Sequence, residues 1–555
     1  MALFKPHEWS FTEKAMGLVT TNPFHPSWRE EEAEILALPL RDVPTGIAWR
    51  PGAQLWGPQS VYSEEFDRRI SALVERLRRQ LEGGASASDA EWDRYELLSV
   101  YRLYCENGRG MDRWIDAAVR ADGKGSGVGC PPEEDERPPD VKTLWADFHR
   151  EYENLFRFKN RDCAPKYKPE HLFACFFLFR RAFYHIFFNI IGTSKLIAEL
   201  RSRVWESIVT HDLLGWMQGL HERMKDIPTL ITGPSGTGKE RAAEAIGRSL
   251  YIPFKNGAFA TDFVKAFNPV NLSALPPLLI EAELFGYVKG AFAGAVSNRI
   301  GRLEECPDQG AVFLDEVGEV TADIQVKLLR VLQERCFQSV GENKNKKFRG
   351  KIVAATNRDL VAEMHARRFR EDFYYRLCAD TIVTPSLREQ LDDRPEDLPL
   401  LVGHVCRRVV GREKAAALAG EAADWIRKHP RLGPGYAWPG NFRELEQCVR
   451  GYMIRKDYQP VQPVRPRADD GSPRPPCDPV TGACETLAQA VLKMKATCAE
   501  AELKHKKVFD QIKRRLFTLV RDGTRTKQEA AALLGIDVRT LAAGTKATDP
   551  RPVDG

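Results

Sequence analysis

The sequence predicts an α/β fold. A parallel sheet is built around a phosphate-binding loop and carries a helical lid, with an α-rich region before it and a helical tail after it. Three observations carry this. The apolar run opening "IPTLITGPSGTGKE" (227–240) ends in a glycine-rich turn, and the helical stretch "RAAEAIGRSL" follows. Two further apolar runs, "GAVFLDE" and "GKIVAATN", each end in polar residues, the pattern of buried strands alternating with helices. From about 394 to 456 the spacing becomes all-helical.

The chain has 555 residues, 43% of them hydrophobic and 29% charged, which predicts several mainly globular domains. A net charge of +5 is slight for this length, so the placement of basic residues matters more than the total. Twelve scattered cysteines without a CxxC pair predict reduced thiols in a cytoplasmic protein with no zinc site. The opening "MALFKPHEWSFTEK" lacks the basic-then-apolar order of a signal peptide.

Residues 1–189 form the α-rich region. "SEEFDRRISALVERLRRQLEGG" places Ile70, Leu73, Leu77 and Leu81 on one helical face and ends at Gly83-Gly84. "ADGKGSGVGCPPEEDERPPD" (121–140) reads as a loop or linker, and helices follow from about 142 to 222. "HLFACFFLFRRAFYHIFFNIIG" (171–192) has the greasiness of a membrane span, but Arg180 and Arg181 sit at its middle, where charge is costly in lipid. It reads as a buried or interface helix, with no membrane partner. The acidic pair and strand-end aspartate of a phosphoacceptor receiver domain are not found here.

The next segment, 190–393, holds the chemistry. Gly233, Pro234, Ser235, Gly236, Thr237, Gly238 and Lys239 fit the phosphate-binding loop. Its glycines let backbone N–H groups crowd a phosphate, the next helix aims its N-terminus at it, and Lys239 reaches the β- and γ-phosphates. Glu240 stands where Ser or Thr usually holds magnesium, so Mg2+ must rely on other groups and water. Asp315 and Glu316, ending "AVFLDE", supply them: one acid for the metal, one to polarise the attacking water. Asn357, ending "AATN", is a neutral group able to orient water or sense the γ-phosphate. "FREDFYYRL" carries Arg370 and Arg376, which either pair with Glu371 and Asp372 or reach a neighbouring subunit's nucleotide. Arg443, in "WPGNFREL", opens a helix of the lid segment 394–456 and is able to touch the phosphates from above.

One stretch has no catalytic reading. Gly290, Ala291, Phe292, Ala293, Gly294 and Ala295 set a single ring among small residues, with two glycines against helix. Its ring either tucks back into a core or is presented on a tip.

These runs together resemble the sigma-54 interaction domain, the AAA+ ATPase of bacterial enhancer-binding proteins, the NtrC-like activators. The matching segments are "GPSGTGKE", "ELFGYVKGAFAGA", "FLDEVGEV", "QVKLLRVLQE", "AATNRDL", "FREDFYYRL", "LREQ…EDLPLLV" and "WPGNFRELEQ", across about 190–456. "GTGKE" is that family's usual form, which accounts for Glu240. The resemblance implies that residues 233–240 bind ATP and that Asp315 and Glu316 serve Mg2+ and water. It implies that Asn271 pairs with Glu316, that Arg370 and Arg376 act across subunits of a homo-oligomeric ring, usually a hexamer, and that Arg443 is the lid sensor. Phe292 becomes the tip of a loop that pushes on sigma-54, although Ala293 stands where the family has threonine. Tyr287 and Val288 replace common His and Glu, and extra residues occur near 253–268 and 390–394.

A Pro-rich linker, "DYQPVQPVRPRADDGSPRPPCDPVTGAC" (457–484), leads to the tail, 485–555. There "TKQEAAALLGIDVRTLAAGTKA" fits a degenerate Fis-like helix-turn-helix, with Arg539, Thr540 and Lys546 as DNA readers. From 486 onward 14 Lys/Arg stand against 8 Asp/Glu, which suits phosphate contacts. The implied function is an ATP-dependent transcriptional activator that remodels sigma-54 RNA polymerase from an upstream DNA site. The alternative is an AAA+ remodelling ATPase with another protein target and no sequence-specific DNA binding.

Overall fold

The computed structural model describes residues 3–25, 27–37, 63–121, 139–158, 165–292, 294–433 and 435–460. Residues 1–461 form one compact unit. It opens with α1 (Pro6–Thr20), α2 (Trp28–Leu36), α3 (Ser63–Glu82), α4 (Asp89–Ala121), α5 (Val141–Phe156), α6 (Pro169–Asn189), α7 (Lys195–Val209) and α8 (Leu213–Gln218). The middle holds β1 (Thr229–Thr232), α9 (Lys239–Gly247), β2 (Phe254–Lys255), β3 (Ala258–Phe259), β4 (Phe267–Asn271), α10 (Pro277–Phe285), α11 (Arg302–Glu305) and β5 (Ala311–Asp315). Then come α12 (Ala322–Glu334), β6 (Cys336–Phe337), β7 (Lys346–Lys347), β8 (Lys351–Thr356), α13 (Leu360–His365), α14 (Glu371–Leu377) and β9 (Asp380–Val383). The lid is α15 (Leu387–Asp393), α16 (Asp397–Val410), α17 (Arg412–Lys428) and α18 (Asn441–Arg455).

The sheet runs β4-β5-β8-β1-β9 with every pairing parallel. The three expected strands, β1, β5 and β8, are its centre, and β5 and β8 are almost wholly buried apolar runs, as strands covered on both faces must be. The edges carry weaker signals. β4 holds Pro269, which an edge strand tolerates because one side of it needs no ladder donor, and β9 is four residues long with Val383 exposed.

The predicted face of α3, Ile70, Leu73, Leu77 and Leu81, is buried. In α6 every residue from Leu172 to Phe187 is buried, and no described helix is long and apolar enough to cross a membrane. The helix is apolar all round because it is covered all round. One side meets α4 and α5, with Phe176 against Tyr104 and Phe148. The other meets the β2–β3 hairpin: Phe173 and Phe177 face Phe254 and Phe259 with ring centroids 4.7 and 4.3 Å apart. That hairpin turns at Asn256-Gly257, both at positive φ (52° and 77°), as a two-residue hairpin loop demands. It lies within the extra residues near 253–268.

The two arginines of α6 are both buried and differently satisfied. Arg180 forks onto Asp112 of α4, with Nε 2.7 Å from Oδ1. Arg181 meets no carboxylate among the described residues. Its guanidinium donates to the backbone carbonyls of Arg248 (3.0 Å) and Leu250 (2.6 Å), just past the C-terminus of α9. Burial lowers its pKa to about 9. The expected border at 189/190 is therefore crossed by packing: one hydrophobic cluster joins the α1–α8 helices to Ala242, Ile246, Phe254, Phe263, Phe313 and Val353. The opposite sheet face and the lid have cores of their own. Residues 461–555, which include most of the predicted linker, the helix-turn-helix and Arg539, Thr540 and Lys546, lie outside the described residues.

Candidate functional site

The C-terminal ends of β1 and β5 open into a cavity of about 290 Å3 between sheet and lid. The loop after β1 forms its floor. Gly236 takes φ +79°, and a Cβ there would sit 2.5 Å from the Gly440 carbonyl, so only glycine lets the lid loop approach this closely. The lid is pinned to the same loop by Phe442 N to Gly236 O (3.0 Å), Asn441 Nδ2 to Ser235 O (2.9 Å) and Arg443 Nη1 to Ser235 Oγ (3.0 Å). Thr237 bonds Pro234 O and the Thr384 hydroxyl that follows β9.

Lys239 opens α9 and folds its ammonium back onto Gly233 O (2.9 Å) and Pro234 O (3.0 Å). Burial pulls its pKa down, while Glu316 and Asp315 oppose that shift. Asp315 ends β5, and its pKa is raised, first by burial and then by the charges of Glu316 and Glu240. Glu316 accepts from the Asn357 backbone N–H at 3.2 Å and occupies the left-handed region (φ +57°), a conformation that costs a non-glycine residue about 1 kcal/mol. Ser235 to Glu240, Asp315, Glu316 and Arg443 all line the cavity.

No three His, Cys, Asp or Glu side chains converge as a metal cage among the described residues. The donors fit a magnesium ion nonetheless. Mg2+ takes one or two carboxylates and completes its shell with water and phosphate, and Asp315 is a half-buried carboxylate crowded by two others.

The expected partners do not all come together. Asn271, at the end of β4 beside Asp315, has its Oδ1 turned into its own loop, accepting from Ser273 N (3.0 Å) and Ala274 N (3.2 Å). No hydrogen bond joins it to Glu316 among the described residues. Arg370 is held by Asp372, at 3.0 and 2.7 Å, while Arg376 is exposed and makes no ion pair among the described residues. Neither arginine lines the cavity. Thr384 and Asn441 reach the loop across more than 140 residues, a role that only three dimensions reveal.

The loop at Gly290 closes with Gly290 N to Ala295 O (2.9 Å) and Ala295 N to Phe292 O (3.0 Å). Phe292 is 44% exposed and leans edge-on against Tyr287 at 5.0 Å. The ring is thus on a tip and not in a core. Val296 and Ile300 beside it are also exposed. Ala293 lies outside the described residues.

Residues 216–383 match the Sigma-54 interaction domain family. A Nif-specific regulatory protein of Azotobacter vinelandii is 44% identical over 228 residues, covering 41% of this chain and 40% of that protein. The transcriptional regulatory protein ZraR of Escherichia coli (strain K12) is 44% identical over 227 residues, covering 40% of this chain and 46% of that protein. A crystal structure of NtrX from Brucella abortus in complex with ATP is 22% identical, covers 74% of this chain and 81% of that one, and has a TM-score of 0.37. The chain thus matches less than half the length of these curated relatives. With the loop, the strand-end acids and the lid contacts already in place, the segment 216–383 of this chain is a sigma-54 interaction domain, and its relatives are sigma-54-dependent transcriptional regulators.

Proposed function

We propose that this chain is an ATP-dependent transcriptional activator that oligomerises, hydrolyses ATP and remodels sigma-54 RNA polymerase from an upstream DNA site. The observation that carries the reading is the single cavity uniting residues 235–240, Asp315, Glu316 and Arg443 in a domain that also presents Phe292 to solvent.

The roles follow from position. The backbone N–H groups of residues 233–239 and the start of α9 cradle the phosphates, and Lys239 exchanges its carbonyl partners for phosphate oxygens. Asp315 would hold Mg2+, which supplies positive charge for the phosphates when bound. Glu316, steadied by the Asn357 N–H, polarises the attacking water, and Asn357 orients it. Asn271 engages Glu316 only after leaving its own turn. Arg370 and Arg376, which lie outside the chain's own cavity, serve a neighbouring protomer's nucleotide in a homo-oligomeric ring, with a hexamer the expected assembly. Arg443, already on Ser235, couples nucleotide state to the lid. Residues 290–295 with Phe292 at their tip engage sigma-54, the tail contacts DNA through Arg539, Thr540 and Lys546, and the protein works in the cytoplasm.

One observation favours a second reading, a remodelling ATPase with another target. Ala293 replaces the family's threonine and removes a hydroxyl from the contact loop. The test is capture of purified sigma-54 by this protein held with ADP and aluminium fluoride, beside a Phe292→Ala variant. Capture by the wild type alone supports the activator. No capture, with ATP hydrolysis intact, moves the protein to the second reading.

A further inference from the structure

The cavity has two chemically distinct ends. Residues 235–241, Asp315, Glu316 and Arg443 make one end polar. Ile190, Ile191, Ile197, Leu200, Leu401 and Val405 supply an apolar wall, with Asn189, Arg408 and Glu446 also in the lining. A flat heterocycle suits the apolar end, but apolar walls alone do not distinguish one base from another. Among the lining residues is one aromatic ring with hydrogen-bonding nitrogens. His404, on α16 of the lid, lines the cavity between Leu401 and Val405 in sequence and is only partly exposed.

Its surroundings leave it unsatisfied. Nδ1 is sealed from solvent without a hydrogen-bond partner, and neither ring nitrogen has a partner among the described residues. With Nδ1 sealed, Nε2 is the nitrogen left to meet a ligand. Burial first, and then the charges of Arg407, Arg408 and Arg241, disfavour a charged imidazole, so the ring offers hydrogen bonding without a fixed charge.

The wall around His404 is held rigid. The carboxylate of Asp397, about two turns earlier on the same helix, accepts from Thr193 N (2.9 and 2.8 Å) and Ser194 N (3.1 Å). Arg201 clamps the Ile190 carbonyl at 2.6 Å. The lid helix bearing His404 and the strip bearing Ile190 and Ile191 are therefore fixed to each other, as a discriminating pocket requires.

We propose that His404 is the base-reading residue of this site, its imidazole hydrogen-bonding the edge of a purine held between the apolar walls and selecting the adenine nucleotide. This rests on the nucleotide-site reading above and extends it from the phosphates to the base.

Calorimetric titration of the full chain with ATP, GTP and inorganic tripolyphosphate tests it. His404→Phe keeps a ring and removes both nitrogens, and His404→Gln restores a hydrogen-bonding group. The expected result is an ATP Kd raised roughly tenfold in His404→Phe, with a smaller rise in His404→Gln. The preference for ATP over GTP shrinks while tripolyphosphate binds as before. Unchanged ATP affinity in His404→Phe overturns the proposal, and so does an equal loss for ATP and tripolyphosphate, which marks a merely structural role. A wild-type chain that binds neither ATP nor tripolyphosphate overturns the nucleotide site itself, and the base reader with it.

Discussion

Removing the α1–α6 region should unfold the sheet domain that follows it. The perturbation is a fragment spanning residues 190–461. In the intact chain Phe254 and Phe263 are buried and Phe259 is partly buried, all against aromatic rings of the preceding helices. Trp145 and Phe173 cover Phe254 at 4.9 and 4.7 Å, and Trp114 and Phe177 cover Phe263 at 5.9 and 5.3 Å. Exposing three such side chains costs roughly 4.5–9 kcal/mol at about 1.5–3 kcal/mol each. The carbonyls of Arg248 and Leu250 also lose Arg181. A whole domain is stable by only about 5–15 kcal/mol, so the loss is comparable to everything available. Urea unfolding and size-exclusion chromatography of the fragment beside the full chain measure this. The expected fragment is aggregated or lacks a cooperative transition. A monodisperse fragment that unfolds within about 1 kcal/mol of the full chain refutes the reasoning. Phe177→Ala tests the same interface in the intact chain, with an expected loss of about 3–5 kcal/mol.

Asp112→Ala strands the buried Arg180 guanidinium and should destabilise the chain by about 3–5 kcal/mol, read from the urea midpoint. Gly236→Ala drives a methyl into the Gly440 carbonyl at a left-handed φ; nucleotide affinity in a calorimetric titration should fall at least tenfold while the unfolding transition stays cooperative. Burial, then Arg407, Arg408 and Arg241, lower the His404 pKa from 6.5 to about 4, and burial and two arginines lower that of His185 as well. The unfolded chain therefore binds protons that the folded chain refuses. Stability from His404 is full above pH 6.5 and is lost as pH falls toward 4, a contribution on the order of 3 kcal/mol, and His185 acts in the same direction. His404→Phe should flatten that part of the stability–pH curve.

The loop after β1 was legible in sequence because its signature is local: three closely spaced glycines and Lys239 lie on one short turn. Asp315 and Glu316 were legible because a buried strand must end before its acids begin. The pair Arg180-Arg181 correctly excluded a membrane span, and a carboxylate and two carbonyls explain how a protein interior accommodates them. What stayed hidden is what the chain brings together from afar. Nothing local in Asp397 points to Thr193, 204 residues away, and nothing in Asn441 points to Ser235. The edge strands were obscured by Pro269 and by the shortness of β9. Asn256-Gly257 does announce a hairpin, but not that its phenylalanines complete the cover of α6. Asn271 illustrates a limit of resemblance: its place in β4 fits, while its side chain serves its own turn.

The double-sided cover of α6 has a consequence for how the chain is made. Phe187 leaves the ribosome about 70 residues before Phe259, so the α6 surface facing the hairpin emerges without its lining. At about 5–20 residues per second, that surface waits roughly 4–14 s during synthesis. A long, uncovered aromatic strip is a binding target for chaperones and for other nascent copies. Yield in a cell will therefore depend on translation speed and on holdase supply more than on the stability of the finished protein.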